Sequence, residues 1–242
     1  MDFLKRLEKI MTRLRSPQGC PWDRRQTHRS LKPYLLEEAH ETLEAIDSGN
    51  PDHLCEELGD LLLQVVFHAQ LAKEKGRFNL QNVAKTIGDK LIRRHPHVFG
   101  KSSRKISDIH QKWEELKRQE KPERKSALDG LPLSLPALLR AQRMHEKIAK
   151  GIKPSSSASL EKNLERAWRI FQTSIKKKKG KTVQEKAAGE FLLLFTQLAQ
   201  TKGLPAEMAL RRASARHEKQ FRKSETASHH FTTKVTKGTK KG

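Results

Sequence analysis

The chain has 242 residues, of which 32% are charged and only 5% aromatic, and its 50 Lys and Arg outnumber 28 Asp and Glu for a formal net charge of +22. That length suits one large or two small domains with a sizeable core, and the scarcity of β-rich runs makes an all-α protein the natural expectation. No early apolar run has the shape of a signal peptide, and no apolar stretch approaches the roughly eighteen residues that span a bilayer, so no membrane partner and a cytoplasmic location are expected.

The charge is uneven. Residues 1–100 hold 16 basic and 14 acidic side chains, whereas residues 101–242 hold 34 and 14. The later surplus attracts polyanions, nucleic acid among them, without specifying a sequence. Cys20 and Cys55 form no CxxC pattern; both are expected to be reduced, with Cys55 a packing residue.

In chain order, Phe3, Leu4, Leu7, Ile10, Met11 and Leu14 predict a first amphipathic helix that stops at Ser16-Pro17. Gly19-Cys20-Pro21-Trp22-Asp23 reads as a turn. Its indole needs a partner, either the core or a ligand. Gln26, Thr27 and His28 follow, and Tyr34 introduces the stretch on which the chemistry turns.

From Leu35 to Leu71, apolar residues recur at helical intervals on both sides of Asp47-Ser48-Gly49-Asn50-Pro51-Asp52. Gly49 can leave the helical conformation, Asn50 can cap the next helix and Pro51 suits its first turn, which predicts a helical hairpin. Five acidic residues lie on it: Glu37, Glu38 and Glu41 before the turn, Glu57 and Asp60 after it. Reflected about Gly49, Glu41 falls opposite Glu57, about 12 Å from the turn, and Glu38 falls opposite Asp60, about one helical turn further along. Residues three apart share a helix face, so four carboxylates can converge on one patch. Ionised together they repel, and a cation would relieve them; hard oxygen ligands suit Mg²⁺ or Mn²⁺. The alternative is a solvated acidic face.

Beyond the hairpin, Val83, Ile87 and Leu91 form an apolar stripe, while Lys90, Arg93 and Arg94 share another side. Pro96, flanked by His95 and His97, stops that helix. Ile106, Ile109, Trp113 and Leu116 predict a further amphipathic helix, and Pro154-Ser155-Ser156-Ser157-Ala158-Ser159 a linker.

Taken together, Gly19-Cys20-Pro21-Trp22-Asp23, Gln26-Thr27-His28, Pro33-Tyr34-Leu35-Leu36-Glu37-Glu38-x-x-Glu41, Glu56-Glu57-Leu58-Gly59-Asp60-Leu61-Leu62 and Arg93-Arg94-His95-Pro96-His97-Val98-Phe99 resemble the MazG family of nucleoside triphosphate pyrophosphohydrolases. The resemblance covers about Leu4 to Arg143, with a weaker echo to Lys223. It implies an all-α enzyme, usually homodimeric, that hydrolyses NTPs or dNTPs to the monophosphate and pyrophosphate with Mg²⁺. It implies that Glu38, Glu41, Glu57 and Asp60 are metal ligands, with Glu37 assisting them or orienting the attacking water. Lys90, Arg93 and Arg94 become phosphate contacts, since cations complement a triphosphate. Trp22 and Gln26 become candidates for contacting base or sugar.

Such proteins often carry the hairpin twice. Glu165 to Phe171 and Lys186 to Leu193 occupy the places of the two acidic motifs, with Arg166 and Arg169 expected in place of Glu38 and Glu41, Ala187 in place of Glu57, and only Glu190 left to match Asp60. This worn copy is expected to bind no metal. The domains expected are a catalytic unit at 1–122, a connecting helix and linker at 123–158, the degenerate copy at 159–223 and a disordered basic tail at 224–242. The alternative to a housecleaning pyrophosphohydrolase is a helical scaffold that binds nucleic acid or regulates through its basic half.

Overall fold

The computed structural model describes residues 2–100, 125–150 and 156–238, together with residues 109, 113, 115, 116, 119, 120 and 123, and contains no strand among them. The chain is all-α and divides into two compact units, Met1–Gln119 and Glu120–Gly242.

The first unit holds α1 (Phe3–Leu14), the short α2 (Pro21–Arg25), α3 (Lys32–Ser48), α4 (Pro51–Glu74), α5 (Leu80–Arg94) and the single turn α6 (Pro96–Phe99). Helix α3 stops because Gly49 takes a left-handed conformation, with φ 71°, that a side chain would resist. Asn50 then accepts from the backbone N–H of Asp52 and His53, and Pro51 opens α4. Helix α4 is the spine: α1, α3 and α5 all pack on it. Its Val66, Phe67, Ala69 and Leu71 meet Met11, Leu31 and Leu80 in the core, with Leu7, Leu63 and Val83 half-buried around them. Burial of each large apolar side chain contributes about 1.5–3 kcal/mol, which holds the hairpin upright without help from the acidic residues.

Several apolar residues expected inside are not. Phe3, Leu4 and Ile10 of α1 are exposed, as are Ile87 and Leu91 of α5, and Cys55 lies on the exposed side of α4 instead of packing. One turn of each amphipathic stripe is enough to fill a core this narrow, and the remainder of the stripe faces outward. Ile106 lies outside the described residues, while Ile109, Trp113 and Leu116 are helical, with the Trp113 ring 5.8 Å from that of His95.

The second unit contains α7 (Ala137–Ala149), α8 (Ser157–Lys176), α9 (Lys181–Thr201) and α10 (Ala206–Gly238). Of the expected linker, Pro154 and Ser155 lie outside the described residues, and Ser156 already caps α8 by accepting from Ser159 N–H at 3.2 Å. Gln142 locks α7 to the start of α10: its amide donates to the carbonyl of Leu204 and accepts from the N–H of Ala206. Helix α10 continues to Gly238, through most of the segment expected to be a disordered tail; extending a formed helix adds a hydrogen bond per residue without a new nucleation step. Residues 239–242 of that tail lie outside the described residues.

The α8–α9 hairpin repeats α3–α4 with a register one residue away from the expected one on its first arm. Lys178, with φ 47°, stands where Gly49 does, and the buried pair Leu160 and Ser174 stands where Leu31 and Ala45 do. That frame sets Ala167 and Ile170 in the places of Glu38 and Glu41, not Arg166 and Arg169, which are exposed. Ala187 and Glu190 keep the expected places on α9, where buried Thr196 and Ala199 match Val66 and Ala69. With Ala167 and Ala187 both buried, small side chains close the gap that carboxylates occupy in the first hairpin.

Candidate active site

The acidic patch forms where α3 and α4 come closest. The only fully buried residues of α3 are Thr42 and Ala45, small side chains that let the two backbones approach. Thr42 Oγ1 donates to the carbonyl of Glu38 one turn back, at 2.8 Å, and lies 3.4 Å from the carbonyl of Glu57 on α4. The residues flanking this crossing, Glu38 and Glu41 on one side and Glu57 on the other, therefore face each other, and one carboxylate oxygen from each lies within 4.8 Å of the others.

Asp60 follows one turn along α4 and acts on the same group. Burial and then the negative charges of Asp60, Glu41, Glu57 and Glu37 push the Glu38 carboxyl above its ordinary range. Glu38 and Glu57 are half-buried and Glu41 is exposed, and carboxylates crowded in this way among like charges form an environment that a cation stabilises. The three converging oxygens fit a hard divalent ion, which binds such ligands at about 2.0–2.6 Å. His53 Nε2 lies 3.1 Å from Glu57 Oε1 and steadies that carboxylate from the preceding turn. No comparable acidic cluster occurs in the second unit among the described residues.

Trp22 packs on Tyr34, near the start of α3. Its ring meets Tyr34 edge-on, centroids 5.7 Å apart, and remains 49% exposed, so the indole does not simply anchor the loop in the core. Tyr34 itself precedes Glu38 by one turn of α3. Gln26 lies in the same loop with both ends of its amide engaged, Nε2 donating to the carbonyl of Trp22 at 3.1 Å and Oε1 accepting from Ser30 Oγ at 2.7 Å. Lys90, Arg93 and Arg94 occupy the last two turns of α5, which packs beside α4.

Four residues that brace the loop and α4 were given no structural role by the sequence. Arg15, just past α1, donates through Nε and Nη2 to both carboxylate oxygens of Glu74 at 2.8 and 2.7 Å, and through Nη1 to the carbonyl of Asp23. It thereby ties the Trp22 loop to the far end of α4. His28 Nδ1 and His68 Nδ1 lie 2.8 Å apart, within hydrogen-bond distance, and the two rings stack with centroids 5.1 Å apart, joining the loop to α4. Gly19 is required by space: a Cβ there would fall 2.1 Å from the carbonyl oxygen of Leu14. Gly19 and His28 left a trace as members of the quoted motifs, and Thr42 as a small polar residue on the inward face between Glu38 and Ala45.

Fold and site define a helical protein with carboxylates gathered between the arms of a hairpin in a pattern able to hold a hard cation. Residues 26–99 match the MazG nucleotide pyrophosphohydrolase domain. The chain is 42% identical over 226 residues to the nucleoside triphosphate pyrophosphohydrolase/pyrophosphatase MazG of Thermotoga maritima, covering 92% of this chain and 86% of that one. It is 41% identical over 235 residues to the nucleoside triphosphate pyrophosphohydrolase of Escherichia coli K12, covering 93% and 88%. The crystal structure of a MazG-related protein from Thermotoga maritima superposes with a TM-score of 0.41 at 26% identity, over 47% of this chain and 98% of that one. The chain belongs to the MazG family of nucleoside triphosphate pyrophosphohydrolases.

Proposed function

We propose that the first unit hydrolyses nucleoside triphosphates, ribo or deoxy, to the monophosphate and pyrophosphate, as a cytoplasmic housecleaning enzyme of the nucleotide pool. The observation that carries this reading is the convergence of Glu38, Glu41 and Glu57 within 4.8 Å, with Asp60 acting on the same group, inside a chain of this family.

Glu38, Glu41, Glu57 and Asp60 would hold Mg²⁺, or Mn²⁺ in its place. When bound, the ion supplies a polarised water and neutralises charge on the phosphates. The protein's own residues do the rest. Glu37, exposed on α3 next to Glu38, assists those ligands or orients the water that attacks the α-phosphorus. Lys90, Arg93 and Arg94 contact the departing pyrophosphate, since electrostatic stabilisation is most of what phosphoryl transfer asks of a protein. Trp22 offers its open face to base or sugar, and Gln26 keeps the loop in shape beneath it. Leu58, Leu62 and Val65 on α4 with Ile87 and Leu91 on α5 present exposed apolar surface, which supports a homodimer formed through this unit. Among the described residues no helix is long and apolar enough to cross a membrane.

The test is pyrophosphate release from a panel of NTPs and dNTPs with and without Mg²⁺, comparing wild type, Glu41→Gln and Glu190→Gln. Metal-dependent release that disappears in Glu41→Gln and survives in Glu190→Gln is expected. Wild-type turnover in a folded Glu41→Gln protein would overturn the assignment.

A further inference from the structure

The second hairpin lost its carboxylates but gained cations at its tip. Lys176, Lys177, Lys178, Lys179 and Lys181 surround the turn between α8 and α9, and all five are exposed. Among the described residues, the first four form no ion pair, while Lys181 only approaches Glu185 at 4.0 Å. The run is a built turn: Lys178 N–H donates to the carbonyl of Ile175 and Lys179 N–H to that of Ser174, both at 3.0 Å. This is the two-bond closure that ends a helix with one left-handed residue.

That left-handed residue is Lys178, the only non-glycine with positive φ among the described residues. At two other helix ends of this chain the same pair of hydrogen bonds forms around Gly76 and Gly203, with φ 64° and 69°. Glycine adopts this conformation freely, and a side chain resists it. At Lys178 the chain keeps an ammonium group at the position where its own pattern uses glycine. Fold stability does not account for that choice; charge at the tip does.

A second basic array lies in the same unit. Arg212, Arg216, Lys219 and Lys223 recur at i, i+4, i+7 and i+11 on α10, one face of the helix over about 16 Å. Arg216, Lys219 and Lys223 are exposed and form no ion pair among the described residues. A row of cations along a rod fits a linear chain of phosphates, where a single small anion would engage only one or two of them.

We propose that the second unit binds the phosphodiester backbone of nucleic acid, without sequence preference, through the lysine tip and the basic face of α10. Phosphate contacts by flexible ammonium groups position a polyanion without reading bases, and release of counterions makes such binding steeply dependent on salt.

The experiment is fluorescence anisotropy of labelled 20-nucleotide single-stranded RNA, single-stranded DNA and duplex DNA against the full chain, from 50 to 300 mM salt. Probes are compared with wild type, Lys178→Gly, and a tip variant combining Lys176→Gln, Lys177→Gln, Lys178→Gly and Lys179→Gln. Micromolar or tighter binding of the duplex near 0.1 M salt is expected. In the tip variant affinity falls about tenfold or more, and the slope of log K against log salt becomes shallower by up to about 3.6, at roughly 0.9 per lost phosphate contact. The single variant Lys178→Gly melts higher than wild type yet binds more weakly, which separates lost charge from lost folding. Pyrophosphate release is unchanged in both variants, so this inference and the catalytic reading fail independently. Wild-type binding absent at 0.1 M salt, a tip variant that binds as wild type does, or preference for anionic phosphatidylserine vesicles over every oligonucleotide would overturn the proposal.

Discussion

Arg15 grips both carboxylate oxygens of Glu74, 59 residues later, at 2.8 and 2.7 Å, and its guanidinium lies 5.5 Å from the centre of the Phe67 ring. Almost none of the Arg15 side chain reaches solvent, whereas about a third of Glu74 does. Arg15→Met should cost about 2 kcal/mol, less than for a fully buried pair because solvent screens Glu74. The Trp22 loop then loses its tie at Asp23, so the variant should raise KM more than it lowers kcat. Hydrogen bonding from Arg15, aided by Gln70, holds the Glu74 carboxyl below its ordinary value of 4.5. A lowered folded value means the contribution is complete above about pH 4.5 and disappears as pH falls below it. Urea titrations at pH 7 and pH 4 should therefore show the gap between wild type and Arg15→Met closing in acid.

His28 and His68 set a second window. Burial first, and the His28 charge second, push His68 below its ordinary 6.5. The unfolded chain then takes up the proton more readily, so stability is complete above pH 6.5 and declines as pH drops through that value. His145 in the second unit is displaced in the same direction by burial, so the pair is read by difference. Between pH 7.5 and 5.5 the wild type should lose more stability than His68→Gln. Parallel curves would count against burial of His68 as the source of the pH dependence.

Crowded carboxylates make a further prediction that needs no substrate. With chelator present, Glu38→Gln or Glu41→Gln should melt higher than wild type, since each removes one like charge from the patch. With Mg²⁺ or Mn²⁺ at about a hundred times its dissociation constant, the wild type should gain about 2.7 kcal/mol, several degrees in Tm, and the variants little. Equal shifts in all three proteins would remove the patch from consideration as a metal site.

Thr42→Val keeps the volume at the α3–α4 crossing and deletes the hydroxyl. Loss of that hydrogen bond should cost about 1 kcal/mol, or about 4–8 °C in a unit of this size. Because Thr42 sets the crossing between Glu38 and Glu57, kcat should fall with little change in KM, a split that a merely weaker fold would not produce.

The sequence by itself determined the hairpin and its carboxylates. Gly49, Asn50 and Pro51 each impose a backbone state locally, and the spacing of Glu38, Glu41, Glu57 and Asp60 about the turn follows from helix rise alone, so neither depended on distant contacts. The helical frame of the second hairpin was legible for the same reason. Its register was not: choosing between Arg166 and Ala167 required knowing which residues are buried, and burial depends on the facing helix. Tertiary structure alone decided that Glu38, Glu41 and Glu57 meet while Asp60 acts from one turn away, because that turns on how closely α3 and α4 approach at Thr42 and Ala45. It also decided which half of each apolar stripe is covered, leaving Ile87 and Leu91 outside. Arg15 with Glu74, and His28 with His68, join segments 59 and 40 residues apart, and no local periodicity encodes a contact across such a distance.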